Sequence, residues 1–388
     1  MADQRVLAVC RAIVGQGLPR EREPEPCRPD DATWREVFSR VMWERVSGLA
    51  LAAVVAGWLE ATDRQVDDLL GLHRDAMSWS LSVERKLVRL AEAFDAEGIE
   101  FAALKGASVA HTVYPDPSLR SFGDLDVLVR SADYERACRL LERTGHVRRL
   151  PEPRPGFEVR FGKASVHKHP DDRVEVDLHR TLVLGPFGLW IRPEELLERS
   201  TTFTLAGRSI RRLDDTGILL NVAMHASLGW RPPRLGALRD VEQVARHGHV
   251  DWDVLAAWSS RWRVGAVLQH AFATASATFG TRVADAAAGF VSARPPRGEL
   301  RALAAYTEAL REDGGTSTAT LRAIPGIRGK AAYVFALAFP DREFLAARAT
   351  NGRPSYLHRL MTPIGWVRPR LRRHRNDGTD RSLERTAR

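Results

Sequence analysis

The chain is poor in cysteine and in lysine, and it has no long apolar run. Its 388 residues hold three cysteines, Cys10, Cys27 and Cys138, widely scattered and with no C-x-x-C spacing. That excludes a disulfide-stapled scaffold and a structural zinc site. Cys138 falls on the apolar stripe of a helical stretch and reads as a buried thiol. No apolar run reaches the about 20 residues that span a bilayer. The amino terminus meets Glu21, Glu23, Glu25 and nearby prolines too early for a secretory leader, so a cytoplasmic chain is expected.

Lysine is scarce as well: only five of the 58 basic residues are lysine, the rest arginine. The formal charge of +9 suggests a nucleic-acid binder until it is located along the chain. Residues 351–388 carry ten arginines against three acids, a net of +7, so the rest is close to balance. Nucleic acid is therefore not the expected partner. In this tail Tyr356, Leu357, Trp366 and Val367 interleave with arginines, a composition suited to an anionic membrane surface or to nucleic acid. Pro354, Pro363 and Pro369 break any long amphipathic helix there, which favours a docked helix followed by a disordered basic end.

What is present is an ordinary globular composition, 44% hydrophobic and 28% charged, with length enough for two or three domains. Residues 1–80 carry apolar positions at helical spacing and read as a helical subdomain. Between 81 and 190 the pattern is mixed. A helical stripe at Leu87, Leu90 and Phe94 closes at Gly98, and Ile99 to Leu104 is a short apolar strand. A short helix from Ser108 to Tyr114 follows, then a loop held irregular by Pro115 and Pro117. Leu125 to Val129 is a buried strand, and Tyr134, Ala137, Cys138 and Leu141 mark a helix closed by Gly145. Phe157 to His169 and Arg173 to Leu182 read as two more strands about a turn at 170–172. Residues 191–345 return to helix, with Asp214 to His225, Leu238 to Arg246 and Val254 to Phe279 the clearest stretches. Residues 346–388 form the basic tail. Helices packed on a small mixed sheet, an α+β core flanked by helical regions, is the expected architecture.

The chemistry concentrates in Ser121-Phe-Gly-Asp-Leu-Asp-Val-Leu-Val129. Asp124 and Asp126 are two apart on a strand and share one face, while Leu125, Val127 and Val129 anchor the other. Carboxylates this close repel unless a cation lies between them, and Mg²⁺ takes such oxygen ligands. Glu175, Asp177 and His179 repeat the period-two pattern on a second strand. Were the two strands neighbours, the carboxylates would meet in one place, as a two-metal phosphoryl-transfer site requires. Upstream, Gly106 and Ser108 lie between a strand and a helix, where backbone N–H groups can hold phosphate. Lys105 abuts that turn. Arg120 offers a planar fork of donors for a triphosphate, or is a surface arginine. His179 either orients Asp177 or is a core histidine. His225 and Asp240 either pair structurally or line an acceptor site.

The segments Leu104-Lys-Gly-Ala-Ser108, Tyr114 to Arg120, Gly123 to Val129 and Val174-Glu-Val-Asp-Leu-His179 resemble the uncharacterised bacterial nucleotidyltransferase family of the DNA polymerase β superfamily. The resemblance is strongest over residues 85–185 and continues more loosely to about 280. It implies a nucleotidyltransferase-like fold. It further implies a glycine turn for the triphosphate (Gly106 with Ser108), metal-binding aspartates (Asp124, Asp126) and a third carboxylate on a neighbouring strand. That third group is Asp177 or Glu175, Asp177 being favoured by its place before the Leu-His pair. Ala107 departs from the superfamily's usual glycine or serine after the turn glycine, and the interval from Gly106 to Asp124 is longer than usual. The expected activity is Mg²⁺-dependent transfer of a nucleoside monophosphate from an NTP to a hydroxyl of a small molecule, peptide or protein. The contrasting expectation is a non-catalytic module that keeps the fold.

Overall fold

The computed structural model describes residues 2–20, 25–307 and 314–348. The expected basic tail falls almost wholly outside these. A seven-stranded mixed sheet lies at the centre, with strand order β3-β4-β5-β2-β1-β7-β6. Its strands are β1 (Phe101–Ala103), β2 (Leu125–Val129), β3 (Val147–Arg148), β4 (Ala164–Lys168), β5 (Glu175–His179), β6 (Thr201–Leu205) and β7 (Arg208–Arg212). β2 pairs parallel with β5 and β1 parallel with β7, and the remaining neighbours are antiparallel. The α+β class is thus as expected.

Period-two alternation sends the strand residues to two different cores. Leu125, Val127 and Val129, with Val176 and Leu178, pack under the second half of the helix Asp63–Ala96 and the helix Tyr134–Arg143, where Cys138 is buried. Leu128, from the opposite face, joins Ala102 and Leu104 in a larger core shared with the flanking helices. Asp126 lies on this second face, because it alternates with Leu125 and Val127 and is in step with Leu128.

The elements differ from the sequence reading where local signals competed. The strand expected from Phe157 divides into a helix, Phe157–Phe161, and β4. Phe157 and Phe161 are four apart and both pack on Tyr333, and the Glu152 carboxylate accepts the Gly156 and Glu158 N–H groups at the helix start. Val254 to Phe279 likewise divides, into Trp252–Arg261 and Gly265–Phe279, about Arg263 at φ 56°. The β6–β7 hairpin lies in the region read as mostly helical. Its turn, Ala206-Gly207, has positive φ at both residues (48° and 76°), as a tight two-residue hairpin requires. The 34-residue helix Asp63–Ala96 runs unbroken through residue 80, opened by a reciprocal Thr62–Gln65 capping box. Among the described residues, no helix is long and apolar enough to cross a membrane.

Candidate active site

Parallel pairing of β2 with β5 sets Asp126 directly opposite Asp177. Both side chains leave the sheet on the same face, so two acids distant in sequence become neighbours. His179, two residues along β5, shares that face and brings its Nε2 to 2.9 Å from Asp126 Oδ1. One ligand atom from each of Asp126, Asp177 and His179 lies within 4.8 Å of the others. Glu175, the competing third acid, instead pairs with Arg149 at 3.3 Å.

Lys105 completes the cluster from the end of β1. The Leu104 N–H donates to the Asp126 carbonyl, which ties the two strands where the turn begins. Lys105 Nζ then sits 2.7 Å from Asp126 Oδ2 and 4.0 Å from Asp124 Oδ2. Asp124 itself lies one residue ahead of β2 and is exposed, whereas Asp126 is 3% exposed. The two aspartates therefore meet through a shared cation rather than on one strand face alone.

The charges respond as their surroundings require. Burial would raise the Asp126 carboxyl, but Lys105 and the His179 hydrogen bond outweigh it and hold it well below the usual carboxylate range. Burial, and next the Asp126 charge, push Asp177 up to about 7. Burial would lower Lys105, yet Asp124 and Asp126 more than compensate and raise it. Burial lowers His179, helped by nearby Lys163.

The donor set suits a divalent cation. Burial, and next a like charge, force Asp177 toward its protonated form, and a cation between the carboxylates removes the like-charge part of that penalty. His179 Nδ1 faces the Thr181 carbonyl at 3.1 Å and must donate to it. In the neutral ring this leaves the Nε2 lone pair pointing at a carboxylate oxygen, an arrangement satisfied by a shared proton or a shared metal ion. A metal-bound histidine is commonly oriented in this way through its other nitrogen.

A cavity of about 230 Å³ opens beside the cluster, lined among others by Lys105, Gly106, Arg120, Asp124, Trp230 and Asp240. Gly106 has φ 65° and ψ −120°, a conformation that favours glycine, and it precedes the helix Ala107–Thr112. Ser108 is fully buried, its hydroxyl donating to the Lys105 carbonyl at 3.3 Å. Arg120 reaches the cavity wall but is engaged. Its Nε and Nη2 donate to the two Asp240 oxygens at 2.8 and 2.6 Å, and Nη1 donates to the Gly106 carbonyl at 3.4 Å. The Tyr114 hydroxyl also donates to Asp240, at 2.9 Å.

One group facing the cluster escaped the sequence reading as a site residue. Lys163, ahead of β4, is half-buried, and its ammonium lies within the field of Asp126 and Asp177. Its rarity as one of five lysines was the only available signal. His225, which the sequence left open between structural pairing and lining an acceptor site, lines the cavity; burial, and then Lys105, hold it well below its ordinary value.

A search of curated proteins finds no match to the chain. Two solved structures show a similarity of low overlap. The antibiotic-resistance factor ANT(2″)-Ia is 15% identical, covering 50% of this chain and 97% of its own, with a TM-score of 0.32. A nucleotidyltransferase-like antigenic protein from Paracoccidioides brasiliensis is also 15% identical, covering 48% of this chain and 91% of its own, with a TM-score of 0.29. The family assignment rests on sequence: residues 30–280, which include the glycine turn, β2 and β5, match the model of the uncharacterised nucleotidyltransferase family, and the chain belongs to that family of nucleotidyltransferases.

Proposed function

We propose that this nucleotidyltransferase moves a nucleoside monophosphate from an NTP, ATP included, to a hydroxyl of a small molecule, peptide or protein. The observation that carries the reading is the Asp126–Asp177 pair, opposed across β2 and β5, with Asp126 bound to Lys105 of the cavity wall. Asp124, Asp126 and Asp177 are the proposed holders of Mg²⁺, with His179 contributing through Nε2. When bound, the ion would neutralise these carboxylates and the charge developing on the phosphates.

The side chains then have separate tasks. Asp177 takes the proton of the acceptor hydroxyl as that oxygen bonds to the α-phosphorus, and the bond from the α-phosphorus to the bridging oxygen breaks. Pyrophosphate leaves. Lys105, at the start of the glycine turn, would offer its ammonium to the triphosphate. Gly106, with Ser108 fixing the turn behind it, presents backbone N–H groups to the same phosphates. Arg120 supports the turn through the Gly106 carbonyl while contributing positive charge to the wall. Catalysis is chiefly alignment and charge neutralisation. A cytoplasmic site of action, with NTP and Mg²⁺ at hand, goes with this reading.

The test is pyrophosphate release and transfer of label from an α-³²P-labelled NTP to acceptors in cell lysate. Asp126→Asn and Asp177→Asn are each expected to lower the rate by more than about 10²-fold, beyond the usual cost of altering a group behind the ligands. Full activity in both Asp124→Asn and Asp126→Asn would overturn the site.

A further inference from the structure

The cavity beside the carboxylates has a cationic wall that comes from outside the sheet. Arg45 ends the helix Asp31–Glu44 in a left-handed conformation, φ 60° and ψ 46°, which favours glycine or asparagine over arginine. Its carbonyl accepts the Ser121 hydroxyl at 2.9 Å, fastening this corner to the strand-entry loop. Its guanidinium lies on the backbone of Gly123, the residue immediately before Asp124. A Cβ at Gly123 would fall 1.4 Å from Arg45 Nη1 and 2.1 Å from Cζ. The absence of a side chain at 123 is what lets Arg45 lie there.

Two of the surrounding acids are already matched, and Asp124 lies 4.0 Å from Lys105. Glu44 pairs with Arg40 at 3.0 Å and faces Arg234 at 3.7 Å, and Asp240 is held by Arg120 and Tyr114. Among the described residues the Arg45 guanidinium has no hydrogen bond or ion pair. Arg45 and Arg234 repel one another near Asp124, and Arg234 lies 5.5 Å from the centre of the Trp230 ring. A pocket that keeps an exposed guanidinium, unpaired within the protein, beside further cations is complementary to a polyanion, and the planar fork of arginine fits phosphate oxygens.

Building on the nucleotidyl-transfer reading, we propose that Arg45, seated on Gly123, binds the triphosphate of the incoming NTP. The site is then composite. The sheet supplies the carboxylates and the glycine turn, and the amino-terminal helices supply a phosphate-binding arginine. Gly123 serves this residue by leaving room for it.

The experiment is calorimetric binding, with Mg²⁺, of the α,β-methylene analogues of ATP, GTP, CTP and UTP to the full chain. Arg45→Ala is expected to weaken the tightest analogue by about tenfold or more, the range for a hydrogen bond to a charged group. Arg45→Lys should recover only part. Gly123→Ala is the second variant. The atom it meets is the end of a flexible side chain, so the fold is retained while Arg45 is displaced, and a similar loss is expected. The double variant should bind no worse than either single one. Binding of Arg45→Ala within twofold of the unaltered protein overturns the proposal, as does a Gly123→Ala loss that persists undiminished in an Arg45→Ala background. If the unaltered protein binds none of the four analogues, the nucleotidyl-transfer reading itself fails.

Discussion

Asp126 makes different bonds with its two oxygens, one to His179 Nε2 and one to Lys105 Nζ, and this asymmetry organises the site. Other buried polar groups set stability rather than chemistry. His167 on β4 is fully buried, and burial, followed by Arg148 and His146, pushes it down to about 4 from an ordinary 6.5. Between those values the unfolded chain binds the extra proton and the folded one does not. Stability from this group is therefore present above pH 6.5 and lost as pH falls toward 4, on the order of 3 kcal/mol in all. The urea midpoint should fall less between pH 7 and pH 4.5 in His167→Gln than in the unaltered protein, and an identical acid loss would refute the assignment. Arg120→Ala addresses a second buried group. It leaves the Asp240 carboxylate, 4% exposed, with Tyr114 as its remaining partner. The expected cost in urea unfolding is about 3–5 kcal/mol. Arg120→Lys should restore only part, since the planar fork is lost; a cost well under 1 kcal/mol would show that the pair does not bear on the fold.

At the scale of elements, the turn between β1 and the helix Ala107–Thr112 carries the main constraint. A Cβ at Gly106 would meet only the Phe122 ring, at 3.6 Å, an ordinary contact. The obstacle to substitution is thus conformational, φ 65° with ψ −120°, and amounts to about 1–3 kcal/mol. Relief of that strain would rotate the peptide whose carbonyl Arg120 holds and whose neighbour is Lys105. Gly106→Ala should therefore lower the unfolding free energy by that amount and weaken binding of a Mg²⁺–NTP analogue. Thermal unfolding and calorimetry measured on the same sample check both effects. Unchanged affinity would separate the turn from the nucleotide.

At the scale of the whole molecule, one apolar core is shared by distant parts of the chain. Val37, Leu49 and Leu69 from the amino-terminal helices pack in the same cluster as Leu128 of the sheet and Leu220, Val241 and Leu268 of the later helices. Each such side chain contributes about 1.5–3 kcal/mol when buried. A fragment of residues 81–190 would lack these partners, half of the helix Asp63–Ala96, and the β6–β7 hairpin that extends the sheet beyond β1. It should remain unfolded or aggregate, as read by amide dispersion and ANS binding. A well-dispersed monomeric fragment would refute the shared core.

The amino-acid sequence by itself determined the local units. Alternation in Leu125 to Val129 declared a strand with Asp126 on the face opposite Leu125 and Val127, Gly106 declared a turn, and three- and four-residue spacing declared most helices. These signals are local, because side-chain direction repeats every two or 3.6 residues. Even the β6–β7 hairpin was legible in Phe203, Leu205 and Ile210 about Ala206-Gly207, had the alternation been weighed against the helices around it. Only the tertiary structure decided which strands are neighbours, hence that Asp177 and not Glu175 faces Asp126. It alone decided that Lys105 and His179 share Asp126, that Arg120 clasps Asp240, and that Arg45 rests on Gly123. Those contacts join residues separated by tens to more than a hundred positions. They follow from which apolar faces are buried together, and no periodicity along the chain records that choice.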